Sequence, residues 1–311
     1  MLWYNEDKVN LSLTYETIKT EVHIMSYPII MHINYCEQGQ TIEEICRFAA
    51  KTGFDGIEFR SRRVKEQETI QEYLDAVKRY TEYYGIKYVL FGGPGIDVMT
   101  QDKAKAQASI DGYKAWLDEA GKRFQLSVQN FFTGSLVDPD QPMNALSYGL
   151  HGSFCAKDWH WEVAAEACQQ IADYAKPLGC KFAFEAHMNY LHDIAESARK
   201  LVDLIDRDNF GVNLDYGNSI YFKGIAPLEK AIEICGDKLF YTHLKNSLPV
   251  PGGRLPTALG EGEVNHRAYI KKLNEIGFKG LVGIEAPRPG DREYYAVKDL
   301  EYIKSVISDL T

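Results

Sequence analysis

The segment Lys181–Tyr216, with the sequence KFAFEAHMNYLHDIAESARKLVDLIDRDNFGVNLDY, contains one complete strand–helix–strand unit. Its two ends, Lys181–His187 and Phe210–Tyr216, are short apolar runs with the length and composition of buried strands. Between them, Leu191–Asp206 has the pattern of a helix. Two buried strands joined by a helix are typical of a parallel sheet.

The same alternation extends outward in both directions along the chain. The sequence predicts eight strands: Pro28–Cys36, Gly56–Arg60, Tyr88–Gly92, Gln125–Phe131, Lys181–His187, Phe210–Tyr216, Leu239–Asn246 and Leu281–Ala286. The first predicted helix has a capping box at Thr41 and Glu44 and ends at Gly53. Later helices are predicted over Asp158–Leu178, Leu191–Asp206, Pro227–Cys235, His266–Ile276 and 292–310.

Eight strand–helix units predict an α/β fold, a single (β/α)8 TIM barrel. The competing architecture is an open doubly wound sheet, which often has a glycine-rich phosphate turn after its first strand. The first strand here ends His32-Ile33-Asn34-Tyr35-Cys36 without such a turn, which favours the barrel. We divide the chain into a short N-terminal extension, 1–24, and a catalytic barrel domain, 25–311. A long loop, Thr133–Lys157, is expected to act as a lid or a docking surface.

Composition narrows the classes of function. The chain has 311 residues, with 35 basic and 44 acidic side chains and a net charge of −9, which argues against nucleic-acid binding. No window approaches 18 consecutive apolar residues, so we expect no membrane span. Six cysteines without a CxxC pair are typical of reduced thiols in a cytoplasmic protein.

Polar side chains end four successive predicted strands: Glu185, Asp215, His243 and Glu285. In a barrel the carboxyl ends of the strands surround one site, so these four side chains can converge. Three carboxylates at close range repel one another unless a cation compensates them. The donor set suits Mn²⁺, Mg²⁺, Co²⁺ or Zn²⁺, and its oxygen majority favours Mn²⁺ or Mg²⁺. We expect one divalent ion per chain, Mn²⁺ first; four unrelated polar residues at the barrel mouth are the alternative.

Further candidates follow from the period of two along a strand. His187 and Lys245 lie two residues after a predicted metal ligand, and we expect both to act in catalysis as acid or base groups. We predict that the substrate-binding residues are His32, Glu58, Arg60 and Asn218. The structural alternatives are a rim ion pair for Lys245 and a hydrogen-bonded core position for His32.

These motifs resemble the xylose-isomerase-like barrels of the sugar isomerase/epimerase superfamily, along nearly all of residues 28–310. The matching segments are Gly53–Glu58, Phe184–His187, Asn213–Asp215, Thr242–Lys245, Gly260–Val264 and Gly283–Glu285. In such enzymes the Glu-Asp-His-Glu set holds a divalent ion, and one or both glutamates move protons. The resemblance therefore implies metal binding by Glu185, Asp215, His243 and Glu285, with Glu185 and Glu285 also catalytic.

The superfamily includes ketose epimerases, hydroxypyruvate-type isomerases, dehydratases, DNA repair enzymes and the large subunit of C-glycoside deglycosidases. The repair enzymes need a histidine three residues after the strand-six aspartate, where this chain has Asn218. The histidine beside Glu185 favours members with a histidine base. The loops Thr133–Lys157 and Leu248–Pro256 are large enough to shape a pocket for a bulky glycoside or to receive a partner.

The resemblance implies an enzyme that abstracts a proton alpha to a carbonyl of a sugar or keto-sugar through a metal-stabilised enediolate. Return of the proton gives an epimer or an isomer, whereas loss of a substituent gives a lyase product. The first alternative is the C-glycoside deglycosidase large subunit, a lyase of 3-oxo-glucosides with a small partner subunit. The second is a non-catalytic barrel subunit. We expect a small sugar or glycoside substrate and leave homo-oligomers and hetero-oligomers open.

Overall fold

The computed structural model describes residues 27–63, 67–93 and 95–310, so the predicted extension at 1–24 lies outside the described residues. Eight parallel strands form a nearly closed barrel: β1 (Ile29–His32), β2 (Gly56–Arg60), β3 (Tyr88–Gly92), β4 (Val128–Phe131), β5 (Lys181–Glu185), β6 (Phe210–Asp215), β7 (Leu239–Leu244) and β10 (Leu281–Ile284). Their hydrogen-bonded order is β3-β2-β1-β10-β7-β6-β5-β4. The Phe91 amide donates to Gln129 Oε1 at 3.0 Å and joins the two ends of that order. The predicted TIM barrel is confirmed.

Helices surround the barrel: α1 (Ile42–Thr52), α2 (Ile70–Tyr84), α3 (Lys103–Gly121), α4 (Asp158–Ala175), α5 (Ala195–Ile205), α6 (Tyr216–Ser219), α7 (Leu228–Cys235), α8 (His266–Glu275) and α9 (Arg292–Leu310). The predicted capping box of α1 is present, and Gly53 ends the helix with φ at 91°. A second capping box, Thr69 with Glu72, begins α2 in the same way. None of the helices among the described residues is long and apolar enough to cross a bilayer.

Apolar side chains fill two regions of the barrel. One cluster lies inside it and includes Ile30, Leu90 and Tyr241. The other, much larger cluster lies between the strands and the helices. The polar residues at the strand ends belong to neither apolar cluster. They form a separate layer at the carboxyl end of the barrel.

Several predicted strands are longer than the observed ones, because side chains bond to the backbone just beyond the strand ends. The predicted strand Pro28–Cys36 ends at His32, whose Nδ1 accepts the Asn34 amide at 3.2 Å. Residues 33–36 then form a 3-10 helix. At the end of β6, Asp215 Oδ1 accepts the Asn218 amide at 2.9 Å and begins α6. The predicted fourth strand begins three residues later than expected, and the predicted fifth, seventh and eighth strands end two residues earlier.

Two segments add structure above the carboxyl end of the barrel. The loop Thr133–Lys157 has two short 3-10 helices and packs on the segment after β5, where Ser135 pairs with Tyr190. The Leu248–Pro256 loop contains an antiparallel hairpin, β8 (Ser247–Val250) and β9 (Gly253–Pro256), which the sequence analysis did not predict. Both segments form walls at the mouth of the barrel.

Candidate active site

The four predicted metal ligands lie together at the carboxyl end of the barrel. Glu185, Asp215, His243 and Glu285 each offer one ligand atom, and these atoms all lie within 4.8 Å of one another. The first three residues are buried, and the Glu285 side chain is 14% exposed. Gly283 lies beside this cluster, and a Cβ at that position would collide with Tyr241 and come within 2.8 Å of the His243 ring. Glycine is therefore needed for the close approach of β10 to β7.

Three buried atoms of this cluster make no well-oriented hydrogen bond among the described residues: Asp215 Oδ2, His243 Nδ1 and Glu285 Oε2. The positive group beside them is Lys245 Nζ, 3.0 Å from Asp215 Oδ2 and 3.2 Å from Glu285 Oε2. His243 Nδ1 lies 3.1 Å from Glu285 Oε2 and 3.7 Å from Glu185 Oε2. A single ammonium offsets only part of the charge of the three carboxylates, and uncompensated charge is unfavourable in a buried site. A divalent cation compensates such a donor set, so the residues present fit the metal that the strand ends predict.

Glu58 is fully buried, and both of its oxygens have protein partners. His243 Nε2 and the Tyr241 hydroxyl lie 2.8 Å from Oε2, and Asn130 Nδ2 donates to Oε1 at 3.0 Å. A Cβ at position 92 would collide with the Glu58 carboxylate, so glycine is the residue that fits there. Burial is the largest single influence and raises the pKa of Glu58, but the neighbouring histidines, His243 first, together lower it below its ordinary value. We predicted that Glu58 binds substrate, and these contacts instead direct its carboxylate to His243.

Two asparagines orient the Glu185 carboxylate. Asn130 Nδ2 donates to Oε2 at 2.6 Å, and Asn218 Nδ2 donates to Oε1 at 3.1 Å. We predicted from the sequence that Asn218 binds substrate, whereas Asn130 was not among the predicted site residues. Asn130 lies one position before the end of β4 and follows a second polar residue, Gln129; a polar residue near the end of a predicted strand is the signal that identified the other candidates.

Lys245 lies beside the cluster and provides a positive charge. Its Nζ is 3.0 Å from Asp215 Oδ2 and 3.2 Å from Glu285 Oε2, and it donates to Asn218 Oδ1 at 3.1 Å. Burial works against the charged amine, but the two carboxylates raise the pKa of Lys245 above its ordinary value. Burial, together with Glu185 and Glu285, raises the pKa of Asp215 although Lys245 opposes it. The Lys245 amine therefore stays protonated beside the carboxylates of Asp215 and Glu285.

His187 lies two residues beyond the end of β5, so strand alternation does not determine its direction. Its Nδ1 is 3.0 Å from the Met188 carbonyl oxygen. A hydrogen bond to a carbonyl requires the proton on Nδ1, which leaves Nε2 as the acceptor nitrogen. Phe132 and Tyr190 flank the ring at centroid distances of 6.1 and 5.5 Å. The side chain is half-buried and lines the cavity next to Glu185.

The remaining predicted residues surround the same cavity, which has a volume of about 530 Å³. His32 is buried, with Nε2 3.9 Å from Glu58 and Nδ1 3.9 Å from Glu285. Arg60 lies at the rim, where its guanidinium binds both oxygens of Glu37 at 2.8 and 3.0 Å. A larger cavity, about 640 Å³, is lined by residues at the amino ends of the strands and contains none of these groups.

Comparison with known proteins agrees with this geometry. A model of the family described as xylose isomerase-like TIM barrel matches residues 46–306. The chain belongs to this family. An inosose isomerase of Bacillus subtilis is 30% identical over 149 residues, which are 46% of this chain and 51% of that protein. The xylose isomerase-like barrel described here thus spans about half the length of that curated relative.

Two further similarities cover more of this xylose isomerase-like barrel. A 2-oxo-tetronate isomerase of Haemophilus influenzae is 26% identical over 251 residues, covering 78% of this chain and 86% of that protein. The solved structure of a D-psicose 3-epimerase in the presence of D-fructose is 18% identical with a TM-score of 0.70. It covers 90% of this chain and 99% of that chain. This structural likeness supports the barrel fold.

Proposed function

We propose that this protein is a divalent-metal-dependent enzyme that removes a proton alpha to the carbonyl of a sugar or keto-sugar, as an isomerase or epimerase. The observation that carries the proposal is the convergence of four candidate ligand atoms, from Glu185, Asp215, His243 and Glu285, within 4.8 Å of one another beside a cavity of about 530 Å³. The relatives named isomerases and epimerases support the same reaction class.

The proposed ligands of the ion are Glu185, Asp215, His243 and Glu285. When bound, the ion polarises the substrate carbonyl and offsets the negative charge that develops on its oxygen. Mn²⁺ is our first choice because three of the four ligands are carboxylates. Glu58 holds His243 with Nδ1 toward the ligand cluster, so we assign Glu58 a positioning role rather than contact with substrate.

We assign the removal of the proton to His187. Its Nδ1 faces the Met188 carbonyl, so Nε2 is the nitrogen that accepts a proton. His187 lines the cavity together with Glu185 and Glu285. Both oxygens of Glu185 accept hydrogen bonds from asparagines, whereas the Glu285 side chain is 14% exposed and lines the cavity, so we assign the return of the proton to Glu285.

Positive and polar groups next to the cluster would orient the substrate. The Lys245 ammonium lies close enough to Asp215 and Glu285 to stabilise a developing negative charge on a neighbouring substrate oxygen. His32 and Arg60 line the same cavity and are proposed to bind substrate hydroxyls. Asn218 donates a hydrogen bond to Glu185 and accepts one from Lys245, so we propose that it fixes the relative positions of these two side chains.

The test measures metal and chemistry separately. Elemental analysis after loading with Mn²⁺ should give about one ion per chain for the natural protein and almost none for Asp215→Ala. Asp111→Ala, an exposed aspartate on α3, is the matched control and should keep its ion. Free ketoses, keto-inositols and 3-oxo-glycosides are then incubated in deuterated solvent, and mass spectrometry should show deuterium uptake at the alpha carbon.

Three results would decide the reaction class. Deuterium uptake into a product whose molecular formula is otherwise unchanged supports an isomerase or epimerase. A product that has lost a substituent identifies a lyase, the result expected for a C-glycoside deglycosidase large subunit. An active enzyme without metal, or a loaded enzyme that exchanges no alpha hydrogen of any of these substrates, would overturn the proposal.

A further inference from the structure

A second cavity adjoins the one beside the metal ligands. We call the first, of about 530 Å³, the metal-side cavity. The second has a volume of about 350 Å³, and we call it the tyrosine cavity because Tyr148 and Tyr221 line it. His187 is the residue that lines both cavities. The tyrosine cavity also reaches Lys245 and Asn218, which contact the proposed metal ligands Asp215 and Glu185.

The tyrosine cavity has a built wall. The rings of Tyr148 and Tyr221 pack edge to face with centroids 5.7 Å apart. The Arg254 guanidinium lies over the Tyr221 ring at 5.6 Å. Arg254 Nε also donates to Ser247 Oγ at 2.8 Å, and Nη1 donates to the Ile220 carbonyl at 3.3 Å. The hairpin β8–β9 is thereby fixed to the segment that carries Tyr221.

The loop that carries Tyr148 is fixed to the barrel as well. The buried His151 accepts the Asp138 amide at 3.1 Å, and its Nε2 lies 3.0 Å from the Pro142 carbonyl. The Leu136 amide donates to the Asn189 carbonyl at 2.7 Å. Two of these bonds lie within the loop and the third joins the loop to the segment after β5, so the wall is already formed in the protein without a ligand.

The chemistry of this wall suits an apolar or aromatic group with few polar atoms. Two half-buried tyrosines present ring faces and hydroxyls, and Pro256 and Pro287 add apolar surface. Asn189 lines the same cavity in the left-handed region at φ 70°, and its Oδ1 is buried without a partner among the described residues. An unpaired amide oxygen at such a position can accept one hydrogen bond from a ligand.

We infer that the substrate is a keto-sugar that carries a second unit, a glycoside, with its sugar in the metal-side cavity and its apolar or aromatic unit in the tyrosine cavity. The identity of the first unit rests on the proposed function, whereas the tyrosine cavity is argued from its own residues. Since His187 separates the two cavities, the bond between the two units of the substrate lies beside the proposed base. A free ketose would fill the metal-side cavity alone.

The experiment compares two pairs of compounds. Binding is measured by calorimetry with methyl β-glucoside and phenyl β-glucoside, neither of which has to react. Deuterium uptake is measured with the corresponding methyl and phenyl 3-oxo-glucosides. We expect the phenyl compound of each pair to be favoured about tenfold, the size of a good aromatic contact. Tyr148→Ala and Tyr221→Ala should reduce both preferences toward one.

Tyr83→Ala is the matched control, because Tyr83 is an exposed tyrosine of an edge-to-face pair on α2, 77% exposed. This variant should keep the tenfold preference. Equal binding of methyl and phenyl compounds by the natural protein, or a preference that survives both tyrosine substitutions, would overturn the inference. If phenyl β-glucoside is preferred in binding but no keto-sugar exchanges its hydrogen, the tyrosine cavity is supported and the proposed reaction is wrong.

Discussion

Glu58 Oε2 lies 2.8 Å from Nε2 of His243, on the opposite side of the imidazole from the ligand cluster. β2 and β7, which carry the two residues, are separated in the sheet by β1 and β10. The contact therefore spans the interior of the barrel. If the proposed metal is bound, a carboxylate in this position would keep a proton on Nε2 and leave the Nδ1 lone pair for the ion.

Glu58→Gln should weaken Mn²⁺ binding by about 10- to 100-fold, because the amide is neutral and no longer raises the basicity of His243. The dissociation constant is measured by competition with a chelating dye. Glu37→Gln is the matched control, since Glu37 is a mouth carboxylate that pairs with Arg60. An unchanged constant for Glu58→Gln would show that Glu58 does not support the metal ligand.

His187→Gln should keep the metal, because the four proposed ligands remain, and should lower turnover by about 100-fold or more, the usual size of a general-base contribution. Deuterium uptake at the alpha carbon should fall in parallel with turnover. The alternative is that His187 only binds a substrate hydroxyl. In that case the KM rises while turnover and exchange stay close to those of the natural protein.

Asp193 should make stability depend on pH. Burial raises its pKa to about 6, against the hydrogen bonds it accepts from Ser153 and Ser197, which lower it. The ordinary value is 3.8, so between about pH 4 and 6 the folded chain holds a proton that the unfolded chain has lost. The stabilisation is complete below pH 4 and is lost as the pH rises through 6.

The melting temperature of the natural protein, relative to that of Asp193→Asn, should therefore fall by a few degrees between pH 4 and pH 7. Asp111→Asn, at an exposed position, serves as the control and should follow the natural protein across this range. A difference between the natural protein and Asp193→Asn that stays constant with pH would contradict the proposed raised pKa. Because Asp193 holds Ser153, the loss should be accompanied by faster proteolysis within Thr133–Lys157.

Deletion of residues 1–24 should leave melting temperature and turnover nearly unchanged. This segment precedes the first strand, contains acidic residues and has no strand–helix pattern, and Met25 follows it. Both quantities are measured on the shortened and the full chain under identical metal loading. A fall of several degrees in the melting temperature, or a large loss of turnover, would show that the segment has a structural or catalytic role.

The barrel could be predicted because its signals are local. Short apolar runs, capping boxes such as Thr41 with Glu44, and glycines after helices recur at one spacing along the chain. The four metal candidates were found in the same way, since each is a polar residue that closes an apolar run. Their convergence follows from the parallel arrangement of the strands and requires no knowledge of side-chain contacts.

The contacts between side chains could not be predicted from such signals. The pairing of Glu58 with His243 joins strands that are distant in the sequence, and nothing near either residue indicates it. The directions of His187 and Lys245 depend on turns after the strands end, where the period of two no longer applies. The hairpin β8–β9 contains three prolines and two glycines over 247–256, a composition that local rules assign to a loop.

The proposed metal ligands and the wall of the tyrosine cavity belong to different parts of the chain. The ligands lie on or directly after β5, β6, β7 and β10, whereas Tyr148 and the hairpin lie on connecting segments above the barrel. Changes in the connecting segments could therefore alter which substrates are accepted, while the strands keep the proposed catalytic residues in place. Grafting 133–157 and 247–256 between members of the family offers a modular route to new selectivity.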